Sequence, residues 1–541
     1  MRDGCRLWRL TRTSVAAAVA AAARIGAASL EAGSLVDMRR FALRDLTTAE
    51  VGLVRAAMAG DLYDLTDSHD RKIRSDLIRA IMADEVKWPR GGRVDPRGIN
   101  LKGADLVGAL NLDHVESNVP LVLSECNSFD GIYFSWAQLR SLDLTGLNAP
   151  VVCGAGASIA CDLIISRASV AGDKLLTAVN LQDVRVCGNL DLSACRIKCG
   201  SAEYSKERAM ESINKALRLG EDGAVRLLGA NVSGMVNLDG ASVISSIGTA
   251  IQATNFSAGG SVFFGAGFRA QGRGDRGVLR LSGAKIGGQA VFLGGKACAT
   301  GSNSVALDMR HMKVSKEVLL SADFACFSST PHDISSWSSI GIVRLDGMSY
   351  GSMPRRSKET ASLGEWLEIL SKRTPSYASQ PYMQLAAVHQ AAGHEKDARK
   401  IRILQQADLL IRGDLPYWSR MWHRVTGITV GYGYRPGIAL LWLLMVLASA
   451  MLLIIGIAGP LDLVLRNSST GSVRCLVIEQ AKLALDSVIP LIKTNNIHEC
   501  KIDYSRNGGK VIIVCTWLLQ ALAWSLATLF VAGFTGLMKK K

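Results

Sequence analysis

Cys475 and Cys500 are the two cysteines of a polar stretch lying between two long apolar runs. If that stretch faces an oxidising compartment, the two thiols are placed to pair. A bridge would close a loop of about 26 residues and stabilise it by roughly 3 kcal/mol through chain entropy. Between them the chain reads LVIEQAKLALDSVIPLI, with Val477, Ala481, Ala484, Val488 and Ile492 near helical spacing. Asp486 is the charge in this segment most able to matter. With Ser487, and Gln520 on the next apolar run, it is a candidate for lining a pore or a subunit interface; otherwise it sits on a solvated helix face. Gly265, Gly267 and Ala270 make a G-x-G-x-x-A after the apolar run SVFF. A dinucleotide site needs a helix next and an acidic residue about 20 positions on. FRAQGRGDRG follows instead, so no nucleotide site is expected there. Cys195 and Cys199 lack a second pair or a His cluster, and there is no HExxH, P-loop or nucleophile elbow. Cys126, Cys153, Cys161, Cys187 and Cys195 fall among apolar positions and are expected to be buried as small side chains. No catalytic residue, cofactor or metal-ligand set is expected.

The elements that must position these groups begin with the apolar runs. Gly437–Gly459 and Val511–Leu537 carry no charge and are long enough to cross a bilayer as helices. The segment between is too short and polar to span, which suits a re-entrant or interfacial helix. Arg412, Arg420, Arg424 and Arg435 precede the first run, and Lys539–Lys541 follow the second. That bias favours a cytoplasmic N-terminal bulk, with Asp462–Lys510 across the membrane. The T-V-G-Y-G filter of potassium channels is absent; GYGYRP at Gly431–Pro436 precedes the first span.

Composition agrees with a folded chain of several units. Of 541 residues, 48% are hydrophobic and 20% charged, which excludes a mainly disordered protein. Net charge is +15, but much of it lies in an Arg-rich start and the membrane flanks. No nucleic-acid recognition motif accompanies it, so no nucleic-acid partner is expected. Arg2, Arg6, Arg9 and Arg12 before an Ala-rich run outline a weak signal peptide, or an extension ahead of a start at Met38.

From Ile99 to Met348 the chain repeats itself. INLKGADLVGALNLDHV, VRLLGANVSGMVNLDGASV and LRLSGAKIGGQAVFLGGKA share an apolar-x-apolar step, a small residue and a second apolar pair. Leu101, Leu112, Leu123 and Phe134 recur every 11 residues, so two steps make a coil of 22. Short strands broken by turn residues fit this, and helices do not. Stacked coils form a β-solenoid, with Ala104, Ala230, Ala241 and Ala284 where the interior is tight. Thr47 and Glu50 have capping-box spacing for a first helix to Met58, and Asp70–Asp84 is a second; the pair would cap the first coil. Ser201–Leu219 is helix-like. Around Gly393 a tetratricopeptide-like hairpin is expected.

The GADL, GANV and GAKI steps resemble the pentapeptide-repeat class of right-handed β-helices. The arrangement from Leu46 to Leu537 is similar to a bacterial family of β-solenoid proteins with a C-terminal membrane pair, often labelled "membrane-associated oxidoreductase". Its markers here are LTTAE, the GA steps, GYGYRP, LALDSVIPL and VAGFTGL. The resemblance implies an activity that no residue pattern supplies. The expected architecture is a mainly β, right-handed β-solenoid with helical caps and a two-helix C-terminal membrane region. Its segments are an extension (1–40), a helical cap (41–98), the solenoid (99–350, helical insertion 201–219), a hairpin linker (355–415) and a membrane domain (416–541). The expected role is a scaffold or recognition protein at the bacterial inner membrane, without catalysis, with the solenoid cytoplasmic. An oligomeric pore regulated by the solenoid, or the labelled enzyme, are the alternatives. Expected partners are the lipid bilayer, further copies through the spans, and a protein or small-molecule ligand of unknown identity.

Overall fold

The computed structural model describes residues 46–534 except 87, 89–91, 173–176, 201–222, 247, 275, 301–303, 328–338, 353–359, 435–436, 469–470, 489–499 and 504. The N-terminal extension and the helix-like insertion at 201–219 therefore lie outside the described residues. The chain divides into two compact units, Met1–Ile213 with Ala224–Asn237, and Asn214–Gly223 with Leu238–Lys541.

In the first unit short strands pair in parallel along four ladders. Leu110 pairs with Ile132, Ile132 with Val152, Val152 with Val179 and Val179 with Val225. Leu121, Leu142, Leu163, Leu190 and Val236 make a second such row. Every one of these side chains is at most 1% exposed. Leu101, Leu112, Leu123 and Phe134, the 11-residue series, are all fully buried. They alternate between two ladders, so 11 residues is half of one repeat and the partner spacing is close to twice that.

The GA step has a physical meaning in the turns. Gly103, Gly229, Gly240 and Gly283 hold positive φ of 65 to 72°, and the alanine after each is fully buried. Glycine takes the left-handed turn without steric cost, and alanine fits where the chain doubles inward. Where glycine is missing, His114, Glu125, Trp136, Arg167, Asp183 and Ala194 hold φ between 52 and 59° instead. With or without glycine, an Asn or Asp ending a strand fastens the turn. Asn111, Asp143 and Asp191 each accept the backbone N–H two residues on, at 2.9 Å.

The N-terminal helices close this unit's first repeat. Helix α1 (Thr48–Ala59) starts with a complete Thr47–Glu50 capping box. Glu50, 1% exposed, also receives Arg74 at 2.7 Å. The second helix, α2, spans only Ser75–Met82. Lys72–Arg74 does not begin it as expected, because that segment pairs in parallel with Asp105–Val107. Sheet pairing there outweighs helical propensity.

The second unit repeats the parallel pattern. Leu279 pairs with Ile251 and Leu307, and Phe263 with Val291. Phe256, Phe264, Phe268, Phe292 and Phe324 are buried in its interior. Phe292 stacks on Phe264 at 5.2 Å and meets Phe324 edge-on at 5.1 Å. Helices α3 (Leu363–Lys372), α4 (Ser379–Ala391) and α5 (Glu395–Arg412) follow. Helices α4 and α5 form the hairpin, turning at Gly393 with φ +80°. Gln380 donates to the Met348 carbonyl and Gln384 to that of Tyr350, both at 2.7 Å. These amides satisfy the open edge of the last strand, Ser349–Ser352. Asp408, 7% exposed, accepts Tyr382 at 3.0 Å and Arg412.

The remaining helices are α6 (Tyr417–Val430), α7 (Gly437–Met451, continuing as a π-helical Leu452–Ala458), α8 (Val477–Val488) and α9 (Asn507–Phe534). Gly437–Ala458 and Asn507–Ala532 are long and apolar enough to cross a membrane, with mean hydropathies of 2.9 and 1.8. Only 22% of each apolar window is buried, unlike the core helix of a soluble protein.

Candidate functional site

The segment joining the two apolar helices builds a small structure of its own. Val464–Ser468 pairs antiparallel with Gly471–Arg474 on one side and Cys500–Ile502 on the other. Cys475 follows one outer strand and Cys500 opens the other. The structure joins their sulfurs across the central strand, with Cα atoms 6.3 Å apart. Both are nearly buried, with Ile454, Ala458, Leu463, Val464, Ala484 and Ile512.

Helix α8 turns Gln480, Ala484 and Val488 inward, one per turn. Val477, expected on that face, is 62% exposed, with Ile478 beside it at 83%. The reason lies in the buried amide. Gln480 donates to the Cys475 carbonyl at 3.0 Å and packs on Gly459, where a Cβ would sit 2.5 Å from its Oε1. A polar side chain thus sets the helix rotation that an apolar count assigned to Val477. Glu479 caps its own helix by accepting the Leu476 N–H at 3.0 Å, and its Oε2 lies 3.6 Å from the Cys500 sulfur. Donor atoms of Cys475, Glu479 and Cys500 fall within 4.8 Å of one another. With both thiols reduced, this is a set a thiophilic cation could use; in the bridged form the sulfurs are spent.

Asp486 and Ser487 are half-buried on α8, and Gln520 is half-buried on α9. Ser487 donates to the Leu483 carbonyl at 2.6 Å, so its proton is turned to its own helix. Thr516, 6% exposed within α9, likewise donates to Ile513 at 2.8 Å. Gln480 and Thr516 are buried polar positions that apolar periodicity passes over, since only packing shows which face they occupy.

The other candidates sort by geometry. After Gly267 the chain enters a strand, Arg269–Gly272, paired with Ser242–Ser245 and Lys296–Ala299, where a dinucleotide site needs a helix N-terminus. Cys126 and Cys195 are buried, and desolvation pushes their thiols up to about 11 and about 12, which makes them poor nucleophiles. Cys161 and Cys187 are exposed and Cys153 half-buried, contrary to the expected burial. Cys153 takes the less buried side of the strand Val152–Cys153, and Cys161 and Cys187 lie past the ends of the strands Ser158–Ile159 and Arg185–Val186. Cys298 and Cys326 form a second bridge that the sequence did not suggest. They are in-register neighbours on paired strands, which alone brings their Cα atoms to 4.5 Å. Comparison with family models, curated proteins and solved structures finds no match to this chain.

Proposed function

We propose that the chain is a right-handed β-solenoid anchored in the bacterial inner membrane by Gly437–Ala458 and Asn507–Ala532, serving as a scaffold or recognition surface without catalysis. The observation that carries this reading is the distribution of covered surface. The apolar side chains of the parallel rows are packed inward, whereas Leu440, Leu441, Leu444, Trp517 and Leu518 stand 47 to 66% exposed on the two long helices. Uncovered apolar surface on that scale requires a partner, and a bilayer fits helices of that length. Arg412, Arg420 and Arg424 support a cytoplasmic solenoid. The resemblance to β-solenoid proteins with a membrane pair supports the same architecture. Purification of the full chain in mild detergent, with identification of what accompanies it, tests the role: a protein or small molecule retained by solenoid contacts supports it. A bound flavin or nicotinamide would instead favour the oxidoreductase that the resemblance implies.

A second reading, an oligomeric pore, rests on two buried polar side chains, Gln480 of α8 against Gly459 and Thr516 within α9. Ion flux through vesicles holding the full chain, abolished by Gln480→Leu, would establish it over the scaffold.

A further inference from the structure

Helix α6 carries an apolar face that no described residue covers. Trp418, Trp422, Val425, Met421 and Ile428 are 80, 60, 42, 40 and 62% exposed. Their spacing of three and four puts them on one side of the helix, and Tyr417 at 70% continues it. Arg424, exposed, and Arg420, half-buried, border that face, while Thr426, 6% exposed, lies on the packed side.

Two contacts fix the level of α6. Its far end leads into α7: the Trp442 indole donates to the Ile428 carbonyl at 3.1 Å. Gly431 and Tyr432, at φ 55 and 56°, make the turn between the two helices. On another side α6 runs back along α5. Tyr434, just past its last turn, lies 6.0 Å beneath the Arg402 guanidinium in the middle of α5. Helix α5 reads EKDARKIRILQQADLLIR and cannot enter hydrocarbon. A helix tied to a charged helix above and to the start of an apolar span below is held where water meets lipid. Tryptophan and tyrosine are the side chains that favour that layer, and arginine at its edge favours anionic headgroups.

From this we infer that α6 is an interfacial helix lying in the headgroup layer of an anionic bilayer, with Trp418 and Trp422 toward the acyl chains. The inference rests on the membrane reading above and adds to it a lipid-contact surface outside the spans. The test uses the full chain in vesicles of phosphatidylcholine with a minority of phosphatidylglycerol, and in phosphatidylcholine alone. A photoreactive benzoylphenylalanine replaces Trp418 or Trp422, and in parallel Leu440 or Leu444. Lipid adducts at 418 and 422 are expected. In the phosphatidylglycerol vesicles Arg424→Gln should lower their yield by up to about fivefold, and in phosphatidylcholine it should leave the yield unchanged. Adducts at 440 and 444 with only water quenching at 418 and 422 would overturn the interfacial helix and leave the spans standing. Crosslinks from 418 or 422 to a second copy would overturn it in favour of a subunit interface. Lipid adducts at none of the four positions would overturn the membrane reading itself.

Discussion

On the proposed topology, in which Gly437–Ala458 and Asn507–Ala532 both cross the membrane, the two cysteine pairs of this protein should differ in the cell. Cys475–Cys500 lies between the apolar helices and Cys298–Cys326 precedes both. With the N-terminal bulk cytoplasmic, the first pair is expected as a disulfide and the second as thiols kept reduced. The structure draws a bond between Cys298 and Cys326, but the strand register alone brings them together, so reduced thiols there would keep the same pairing. Cys475 and Cys500 instead sit on the two outer strands of a three-stranded sheet, where a covalent link changes what the chain can do. Their sequence separation of 25 gives a loop-closure contribution of about 3 kcal/mol. That is on the order of a hundredfold in the opening equilibrium of the segment. Cys475→Ser with Cys500→Ser should therefore make the segment between the spans open to protease on that scale, with little effect on the parallel rows. The assay is an impermeant maleimide on intact cells, before and after reduction, followed by thiol trapping under denaturing lysis. Protection of Cys475 and Cys500 until reductant is added, with Cys298 and Cys326 trapped as free thiols, is the expected pattern. The reverse pattern, free thiols at 475 and 500 reached only after cell breakage and a bond at 298–326, would refute the proposed sidedness.

Leu112→Asp should cost several kcal/mol by placing an unpaired charge at a fully buried position, read as loss of the folded state in denaturant. Asp113→Ala should cost about 1 kcal/mol rather than nothing, because its carboxylate accepts the Ser135 N–H at 2.6 Å, a tie to the next repeat. Arg167→Gly should stabilise by up to about 1 kcal/mol, since Arg167 is exposed and holds φ 57°; a lowered denaturation midpoint would contradict the turn argument. Burial pushes the Glu50 carboxyl up, but hydrogen bonds from Arg74 and Thr47 outweigh it and leave the group below its ordinary value. The sign follows: Glu50 adds stability at neutral pH and above its unfolded value of 4.5, and that stability is lost as pH falls through the lowered folded value. Acid unfolding of Glu50→Gln, which lacks the titrating group, should be flatter across that window than that of the parent chain.

What could be read from the residues alone follows the strength of each local signal. Leu101, Leu112, Leu123 and Phe134 could be assigned to the interior because their spacing matches a geometry every repeat must satisfy. The GA steps were visible as motifs, but their cause is the left-handed turn, which eight-residue windows without glycine also adopt at His114 or Arg167. The start of α2 was misplaced because Lys72–Arg74 answers to a strand far along the chain, and no local propensity records that. Cys126 follows the left-handed Glu125, at the buried position that Ala104 holds after Gly103, whereas Cys161 and Cys187 come after the strands Ser158–Ile159 and Arg185–Val186. The Cys298–Cys326 neighbourhood depends on counting through every intervening residue, and one insertion shifts it. Near the apolar helices, apolar spacing does not single out Gln480, although its amide holds α8 to the Cys475 carbonyl.

The pairing of Val179 with Val225 has a consequence for how such a chain can change. Elsewhere in that row the partners are Leu110, Ile132 and Val152, roughly half as far apart in sequence, yet the parallel register is the same. The chain leaves at a corner and returns to the next position as though nothing had been inserted. Loop closure grows only with the logarithm of length, so doubling the excursion costs about 0.6 kcal/mol. Each corner is therefore a port through which new sequence can be admitted while the rows on either side keep their partners. A reporter domain with adjacent termini, placed between Gly200 and Gly223, should leave both neighbouring rows paired. The same insertion within Val179–Asn180 would break the pairings to Val152 and to Val225 at once.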